Sequence, residues 1–273
     1  MPSTPEEWKI VSSEFNNKWN YPNCIGALDG KHIKILQPPN SGSYYFNYKH
    51  DFSVVLLALV DANCNFLYVE TGCNGRISDG GVFSNSALYQ NLELNNWGIP
   101  SETPLPKRTF PVPYNIVADD AFPLKPYLPK SFPRSDLWNV AKRVLNYRLS
   151  RARRTVENAF GILVSRFWIF NKPILLDPSK VDKIVLACCA LHNFLSKHQT
   201  ASRIYRAESD INICNESGGW VNIAKRRTSA YSLNSKVFRD EYTNYFSNEG
   251  MVPWQWDFCL YIMILNVMLT HLV

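Results

Sequence analysis

The sequence lacks the cysteine patterns that stabilise small secreted domains or zinc modules. It contains seven cysteines in 273 residues, none of them in a C-x-x-C pair, and Cys188 and Cys189 are adjacent within an apolar run. An odd number without paired spacing indicates neither a disulfide framework nor a structural zinc site. A reducing compartment is therefore expected.

The sequence also lacks a signal peptide, an internal repeat and an apolar run of membrane length. Residues 1–18 are polar, with charged side chains where a signal peptide needs an apolar core. Residues 258–273 form an apolar run of 16 residues, interrupted by Asn266 and His271. This is shorter than the roughly 20 residues that a membrane helix requires. A buried or dangling helix is expected there rather than a membrane anchor.

The positive charge is concentrated in the middle of the chain. Of the 29 lysines and arginines, eleven lie between residues 107 and 154 beside three acidic residues, which gives this stretch +8 and leaves −2 elsewhere. A local excess of this kind is typical of a surface that binds a polyanion. A solvated basic helix face is the alternative.

The hydrophobic pattern predicts a mixed α/β sheet rather than a doubly wound parallel one. Thr4 followed by Pro5 predicts the start of a helix over residues 4–20. Near residue 179, the Ser179 hydroxyl and Asp182 at the third position predict the start of another helix. The remaining predicted elements are strands at 24–36, 52–61, 66–71 and 114–118, a helix at 82–94, a proline-rich loop at 98–113 and a long helix containing Val156, Phe160, Leu163 and Phe167.

Three acidic residues stand where these elements end or meet. Asp29 interrupts an apolar strand in IGALDGKH, beside glycines that would let another chain or a ligand approach. Asp119 follows the short strand YNIVA, and Glu157 borders the apolar stripe of the long helix. Converging carboxylates repel one another unless a cation binds them, and oxygen ligands suit Mg²⁺ or Mn²⁺. Alternatively, Asp29 and Asp119 form turns, and Glu157 pairs with Arg153 one helical turn earlier.

Other reactive pairs are weaker candidates. His50–Asp51 has the dipeptide of HD phosphohydrolases, but the further histidines that such a site needs are scattered. Cys188 and His192 have the spacing of a nucleophilic pair on an apolar helix, where core packing is the alternative. His32 follows Asp29 by three residues and could either assist proton transfer or cap the strand.

Several longer stretches resemble the Harbinger transposase-derived nucleases of the DDE superfamily. They cover most of residues 7–256 in order. The matching stretches are CIGALDGKHIKI (24–35), FNYKHDFSVVLLALVDANCNFLYVETGCNGRISDGGVF (46–83), VADDAFPL (117–124), NYRLSRARRTVENAFGIL (146–163), LACCALHNFL (186–195) and GMVPWQW (250–256).

The resemblance implies an RNase H-like fold, in which three antiparallel strands are followed by parallel strands and helices flank the mixed sheet. It also implies a D-D-E triad of Asp29, Asp119 and Glu157. The last two have 37 residues between them. It also implies that Asp79, in GRISDGG, is a metal ligand or lies close to one. The motif selects Asp119 over its neighbour Asp120, which the period of a strand would turn the other way.

The function that the resemblance implies is a DNA endonuclease that depends on Mg²⁺ or Mn²⁺ and hydrolyses phosphodiester bonds by a two-metal mechanism. A catalytically silent DNA- or protein-binding module with the same fold is the alternative. The resemblance further implies a separate Myb/SANT-like DNA-binding protein as partner, and the nucleus as location, with the cytoplasm as a second one. No membrane partner is expected.

Basic residues beside the predicted triad are expected to contact DNA phosphates. The predicted contacts are Arg148, Arg151, Arg153 and Arg154 on the long helix, together with Lys31 and Lys49.

The predicted segments are a short helical segment at 1–22, the nuclease core at 23–198, a polar extension with a helix at 199–257 and an apolar tail at 258–273.

Overall fold

A four-stranded mixed sheet lies at the centre of the protein, whose computed structural model describes residues 1–198 and 233–257. The described chain contains, in order, α1 (Pro5–Trp19), β1 (Cys24–Lys34), β2 (Ser53–Val60), β3 (Phe66–Asn74), α2 (Asp79–Ser84), α3 (Ala87–Glu93), β4 (Thr103–Pro104), β5 (Pro111–Val112), β6 (Asn115–Val117), α4 (Val140–Arg166), α5 (Pro178–Lys197) and α6 (Leu233–Ser247). Strands β4 and β5 pair separately, and short 3₁₀ turns lie at Arg134–Asp136 and Trp168–Asn171.

The main sheet has the order β3-β2-β1-β6. The first three strands are antiparallel, and β6 pairs in parallel with β1. This confirms the predicted mixed α/β sheet. We expected several parallel strands after the antiparallel ones, whereas one, β6, joins the sheet within the described residues.

Strand β2 separates two hydrophobic cores because all eight of its residues are buried. Val54, Leu56, Ala58 and Val60 alternate onto the face covered by α1, α4, α5 and α6. The intervening residues face the smaller core beneath α2 and α3. A strand buried on both faces reads as a continuous apolar run, which is why the sequence pattern identified it.

Two helix boundaries differ from the prediction. The helix expected over 82–94 is interrupted, and Ser86 caps the second part by accepting a hydrogen bond from the Tyr89 N–H. Helix α5 is capped by Asp177 rather than Ser179, because the Asp177 carboxylate accepts from the Ser179 N–H at 2.9 Å. Asp182 instead accepts a hydrogen bond from Thr71 of β3. The N-cap of α1 is Thr4, as predicted, with Glu7 completing a capping box.

Helix α6 packs against α4, although it follows a long polar stretch in sequence. Its Tyr242 and Phe246 are buried against Tyr21, with ring centroids 5.4 and 5.2 Å away. The predictions for residues 199–232 and for the apolar tail at 258–273 lie outside the described residues. Across 1–198 and 233–257, no helix is both long enough and apolar enough to span a membrane.

Candidate functional site

Asp29 and Asp119 are brought together by the parallel pairing of β1 and β6. Ala27 of β1 is in register with Val117 of β6, and each aspartate lies two residues further along its strand direction. Because side chains alternate with a period of two, both carboxylates continue the face that carries Ala27 and Val117. A backbone N–H of the following loop or residue donates to each: Gly30 to Asp29 at 2.9 Å, and Ala121 to Asp119 at 2.7 Å.

Asp79 reaches β1 at the position where Gly30 has no side chain. A Cβ atom added to Gly30 would lie 2.1 Å from Asp79 Oδ1. Asp79 is the first residue of α2, and the next residue, Gly80, lies so close to the Ala121 carbonyl that a Cβ there would be 2.3 Å from it. The start of α2 is therefore packed against both Asp-bearing segments.

Burial perturbs the pKa values of all three aspartates, and repulsion within the cluster adds to the rise at Asp29 and Asp79. Burial raises the pKa of Asp29 to about 7; Asp119 adds to this rise, and the Arg153 guanidinium opposes it. Burial, followed by the charge of Asp119, raises the pKa of Asp79 to about 6. Burial also raises the pKa of Asp119, against the Ala121 N–H and Arg153. The negative charge of the cluster is thus only partly compensated by protein groups.

Asp79 provides the most direct test of whether a cation fits. Its Oδ1 atom is buried and has no hydrogen-bond partner in the structure. A buried carboxylate oxygen without a donor is costly unless a proton or a cation satisfies it. Asp119 acts electrostatically on Asp79, and Asp79 on Asp29, so the groups available to a cation here are carboxylate oxygens, which are the ligands that Mg²⁺ and Mn²⁺ prefer.

Glu157 is the predicted acid that does not face this cluster directly. Its side chain is exposed, and its Oε1 atom forms an ion pair with Arg153 Nη2 at 3.0 Å. This is the i, i+4 pair that the sequence offered as the alternative. Because Arg153 also acts electrostatically on Asp29 and Asp119, it links Glu157 to the aspartates. Among residues 1–198 and 233–257, no three acidic, histidine or cysteine side chains are arranged to bind one ion.

The expected phosphate contact by Arg148 is wrong, because its side chain is in the interior. Arg148 is 1% exposed. Its guanidinium donates to Gln255 Oε1 at 3.1 Å and to the Asn20 carbonyl, and it lies 4.4 Å from the Phe246 ring centroid. Asn20 is the C-cap of α1, so Arg148 joins that helix end to α6.

The other predicted phosphate contacts are in different environments. Arg151 is half-buried, donates to Asn20 Oδ1 at 2.8 Å and stacks on Trp254. Arg154 is exposed. Lys31 is half-buried with its ammonium 5.7 Å from the Phe160 ring centroid, and burial and Lys49 lower its pKa while Asp29 raises it. Arg153, Arg154, Lys31 and the exposed Lys49 are therefore the predicted cations that remain near the aspartates or in solvent.

The environments of Asp120, of the pair His50–Asp51 and of the pair Cys188–His192 differ from those of the three aspartates. Asp120 is exposed, in contrast to the half-buried Asp119. Asp51 forms an ion pair with Lys34, and His50 lies in a turn with φ of 64°. His192 and Cys188 are both buried, and His192 Nε2 bonds the Cys64 carbonyl at 2.8 Å, as core packing predicts.

The loop before β2 contributes residues that sequence reasoning did not identify. Asn47 is 4% exposed and bonds Ser53 Oγ at 2.8 Å, and Ser53 Oγ in turn bonds His32 Nδ1 at 2.9 Å. Burial, Lys49 and Lys31 lower the pKa of His32 to about 4, so the ring is neutral. This argues against a role for His32 in proton transfer near neutral pH. Asn47 could not be identified from the sequence, because a single asparagine in a loop is common.

The chain is similar in sequence to proteins of one known family. Residues 28–193 match the model of the family described as DDE superfamily endonuclease. The chain is 31% identical to Protein ALP1-like from Arabidopsis thaliana over 203 residues, which are 71% of this chain and 48% of that protein. It is 27% identical to "Putative nuclease HARBI1" from Xenopus laevis over 213 residues, 76% of this chain and 53% of that protein.

The matched region includes every predicted acidic ligand, and the resemblance seen in the sequence is confirmed. The chain spans about half the length of the curated relatives it matches. No solved structure matches the chain at a significant level.

Proposed function

The chain belongs to the DDE superfamily endonuclease family, and on this premise we propose that it is a divalent-metal-dependent endonuclease that hydrolyses phosphodiester bonds in DNA. The observation that supports this most strongly is the electrostatic influence that Asp119 exerts on Asp29 and on Asp79, together with a buried Asp79 oxygen that has no protein donor. A pair of Mg²⁺ or Mn²⁺ ions would supply activation of water and stabilisation of the leaving oxygen.

The three aspartates would bind the cations, each from a different structural element. Asp29 comes from the rigid centre of β1, Asp119 from the end of β6 and Asp79 from the start of α2. The backbone N–H groups of Gly30 and Ala121 each bond one oxygen of Asp29 and Asp119. These bonds orient the carboxylates and leave the second oxygen of each for a cation.

Glu157 would complete the D-D-E set by turning away from Arg153. The pair lies on the surface of α4, where ion pairs contribute about 0.2–1 kcal/mol. Such a pair is readily exchanged for a stronger interaction with a divalent ion. Arg153, once released, would be free to contact a substrate phosphate, as would Arg154 and Lys31.

We further propose that the sheet is of the RNase H-like type. The order β3-β2-β1-β6, with three antiparallel strands followed by a parallel one, supports this assignment. It also agrees with acids on the adjacent strands β1 and β6. A nuclear location and a separate Myb/SANT-like DNA-binding partner are part of the same proposal and rest on the family resemblance.

The second candidate function is a binding module that retains the fold without cutting. The ion pair between Glu157 and Arg153, at 3.0 Å, favours it, since an arginine there supplies positive charge beside the aspartates without a metal. In that case the basic surface would bind DNA while the acids remain uncharged or paired.

Plasmid nicking separates the two functions. Supercoiled DNA is incubated with the wild-type chain and with Asp119→Ala in Mg²⁺, in Mn²⁺ and in EDTA. The matched control is Asp120→Ala, which removes the adjacent exposed carboxylate. The nuclease proposal expects metal-dependent nicking by wild type and Asp120→Ala, and a loss of at least 100-fold in Asp119→Ala, the order of removing one group that stabilises transition-state charge (~10²–10³). Equal nicking by all three, or none with either metal, favours the binding module.

A further inference from the structure

A projecting aromatic side chain lies close to the aspartate cluster. Tyr48 is 70% exposed, in the turn that precedes β2. Its ring meets the edge of His32 with centroids 5.5 Å apart and an interplanar angle of 71°. The Lys49 ammonium lies 5.4 Å from the centroid of the same ring. Most of the Tyr48 side chain is thus open to solvent, while His32 and Lys49 contact its ring.

The turn that presents Tyr48 is fixed by a buried asparagine. Asn47 Oδ1 accepts hydrogen bonds from the N–H groups of Lys49 at 2.8 Å and Asp51 at 3.1 Å. The Asn47 backbone closes the turn with Asp51 O at 2.9 Å and with the His50 N–H at 3.1 Å. Because these bonds already order the backbone, binding through Tyr48 would cost little conformational entropy.

The position of His32 relates this turn to the aspartates. His32 and Gly30 are two residues apart on β1 and so lie on the same face of the strand, about 7 Å apart. Gly30 is where Asp79 contacts the strand. The Lys49 ammonium acts electrostatically on Asp79 as well as on His32. Tyr48 is therefore connected to the cluster through His32 on β1 and through its neighbour Lys49.

We propose that Tyr48, backed by His32 and flanked by Lys49, is a stacking platform for an unpaired nucleobase next to the phosphodiester bond that is cleaved. This inference rests on the proposed DNA substrate and defines it further, as DNA with an unstacked base beside the scissile phosphate. An aromatic face beside a cation binds single-stranded nucleic acid with little sequence preference, since every base has a π-face. Lys49 supplies the phosphate contact on the same turn.

DNA binding without metal tests the platform separately from cleavage. Fluorescence anisotropy in EDTA compares a blunt duplex with the same duplex carrying a single-stranded overhang. A 2-aminopurine base in the overhang reports stacking by quenching. The variants are Tyr48→Ala, Tyr48→Trp and the control Tyr44→Ala, which removes another exposed tyrosine (57% exposed) from the same loop.

The platform predicts that Tyr48→Ala weakens overhang binding by about tenfold, the scale of one base–aromatic stack. Blunt-duplex binding should be unchanged, the quenching should be lost, and Tyr48→Trp and Tyr44→Ala should behave as wild type. The proposal is overturned if Tyr48→Ala binds the overhang as wild type does, if it weakens both DNAs equally, or if Tyr48→Trp is as defective as Tyr48→Ala. Since no metal is present, a chain that fails to nick plasmid but shows the tyrosine-specific loss retains the platform and loses only the nuclease proposal.

Discussion

The missing side chain of Gly30 determines how close Asp79 can come to β1. Asp79 Oδ1 occupies the space of a Cβ atom, and the same oxygen has no hydrogen-bond donor. Glycine is therefore required at position 30 because Asp79 approaches the backbone closely there, and not because of an unusual backbone angle. Larger residues at this position would separate Asp79 from Asp29 and Asp119.

We expect Gly30→Ala to displace Asp79 and to weaken divalent-cation binding. A contact of 2.1 Å forces a shift of the carboxylate or of α2, and overpacking of this kind costs about 1–3 kcal/mol of unfolding free energy. Urea unfolding with and without MnCl₂ measures both effects. Wild type should be stabilised by Mn²⁺, and the variant should lose most of that gain.

The matched control for this experiment is Gly161→Ala on α4. Nothing lies within 4 Å of a Cβ at Gly161, so the substitution should add about 0.5–1 kcal/mol to stability by favouring the helix. Its response to Mn²⁺ should equal that of wild type. A Gly30→Ala protein that gains as much from Mn²⁺ as wild type does would show that Asp79 has no part in cation binding.

At the level of secondary-structure elements, α4 carries arginines with opposite roles. Arg148 is buried between the end of α1 and α6, whereas Arg154, nearly two turns later, is exposed. Arg153 lies between these extremes and faces the acids. Within one run of basic residues, Arg148 therefore stabilises the fold, Arg153 acts on the aspartates and Arg154 lies on the outer surface.

Arg148→Ala and Arg154→Ala should have different effects on stability and on DNA binding. Loss of Arg148 removes the side-chain donor to the Asn20 carbonyl and one of the two donors to Gln255 Oε1, the other being the Val252 N–H, so stability should fall by about 3 kcal/mol. Loss of Arg154 should leave stability within about 0.5 kcal/mol. It should also reduce by about 1 the slope of log affinity for duplex DNA against log salt concentration.

Urea unfolding and anisotropy titrations at several NaCl concentrations provide these values. If Arg154→Ala unfolds as easily as Arg148→Ala, the division of roles along α4 is incorrect. The same holds if the folded Arg148→Ala protein shows the larger change in salt slope.

How far the sequence predicted these elements depends on whether the determining contacts are local. Strand β2, the Thr4 cap, the position of Asp29 within β1 and that of Asp119 just after β6 follow from short-range patterns, and the structure agrees with them. The burial of Arg148 was missed because the helix that covers it, α6, is more than 80 residues away in sequence. The contact of Asp79 with Gly30 likewise depends on packing across the sheet, which periodicity does not encode.

At the scale of the whole molecule, the sheet separates the large core from the smaller one, and His192 helps to hold the large core together. Its Nε2–H donates to the Cys64 carbonyl in the β2–β3 turn, and its Nδ1 atom lies 3.4 Å from Arg166 of α4. Its ring also meets the edge of Phe66 with centroids 4.9 Å apart. The neutral imidazole of His192 thus contacts the β2–β3 turn, α4 and β3.

This contact predicts acid destabilisation between about pH 6.5 and pH 4. Burial lowers the pKa of His192 to about 4, with Arg166 adding to the effect and the Cys64 carbonyl opposing it. As pH falls below about 6.5, the unfolded chain takes up a proton at this histidine that the folded chain does not, so the contribution of His192 to stability falls by roughly 2–4 kcal/mol across this window. The raised pKa values of Asp29 and Asp79 act in the opposite direction, so the contribution of His192 is the difference between wild type and a variant without the histidine.

Urea unfolding at several pH values checks the prediction with His192→Gln, which should be less stable than wild type at pH 7 and have a flatter dependence. His198→Gln is the control, because that residue is exposed. Equal slopes in His192→Gln and wild type would contradict the assignment.

The central claim, that Asp29, Asp79 and Asp119 form one cation site, is tested most directly by anomalous diffraction from crystals grown with MnCl₂. The account predicts an anomalous peak with oxygen ligands from Asp29 and Asp119 at about 2.0–2.3 Å, with Asp79 bonded to the ion or to a water that it binds. Bound Mn²⁺ confined to other surfaces, with the three carboxylates unliganded at saturating metal, would contradict it.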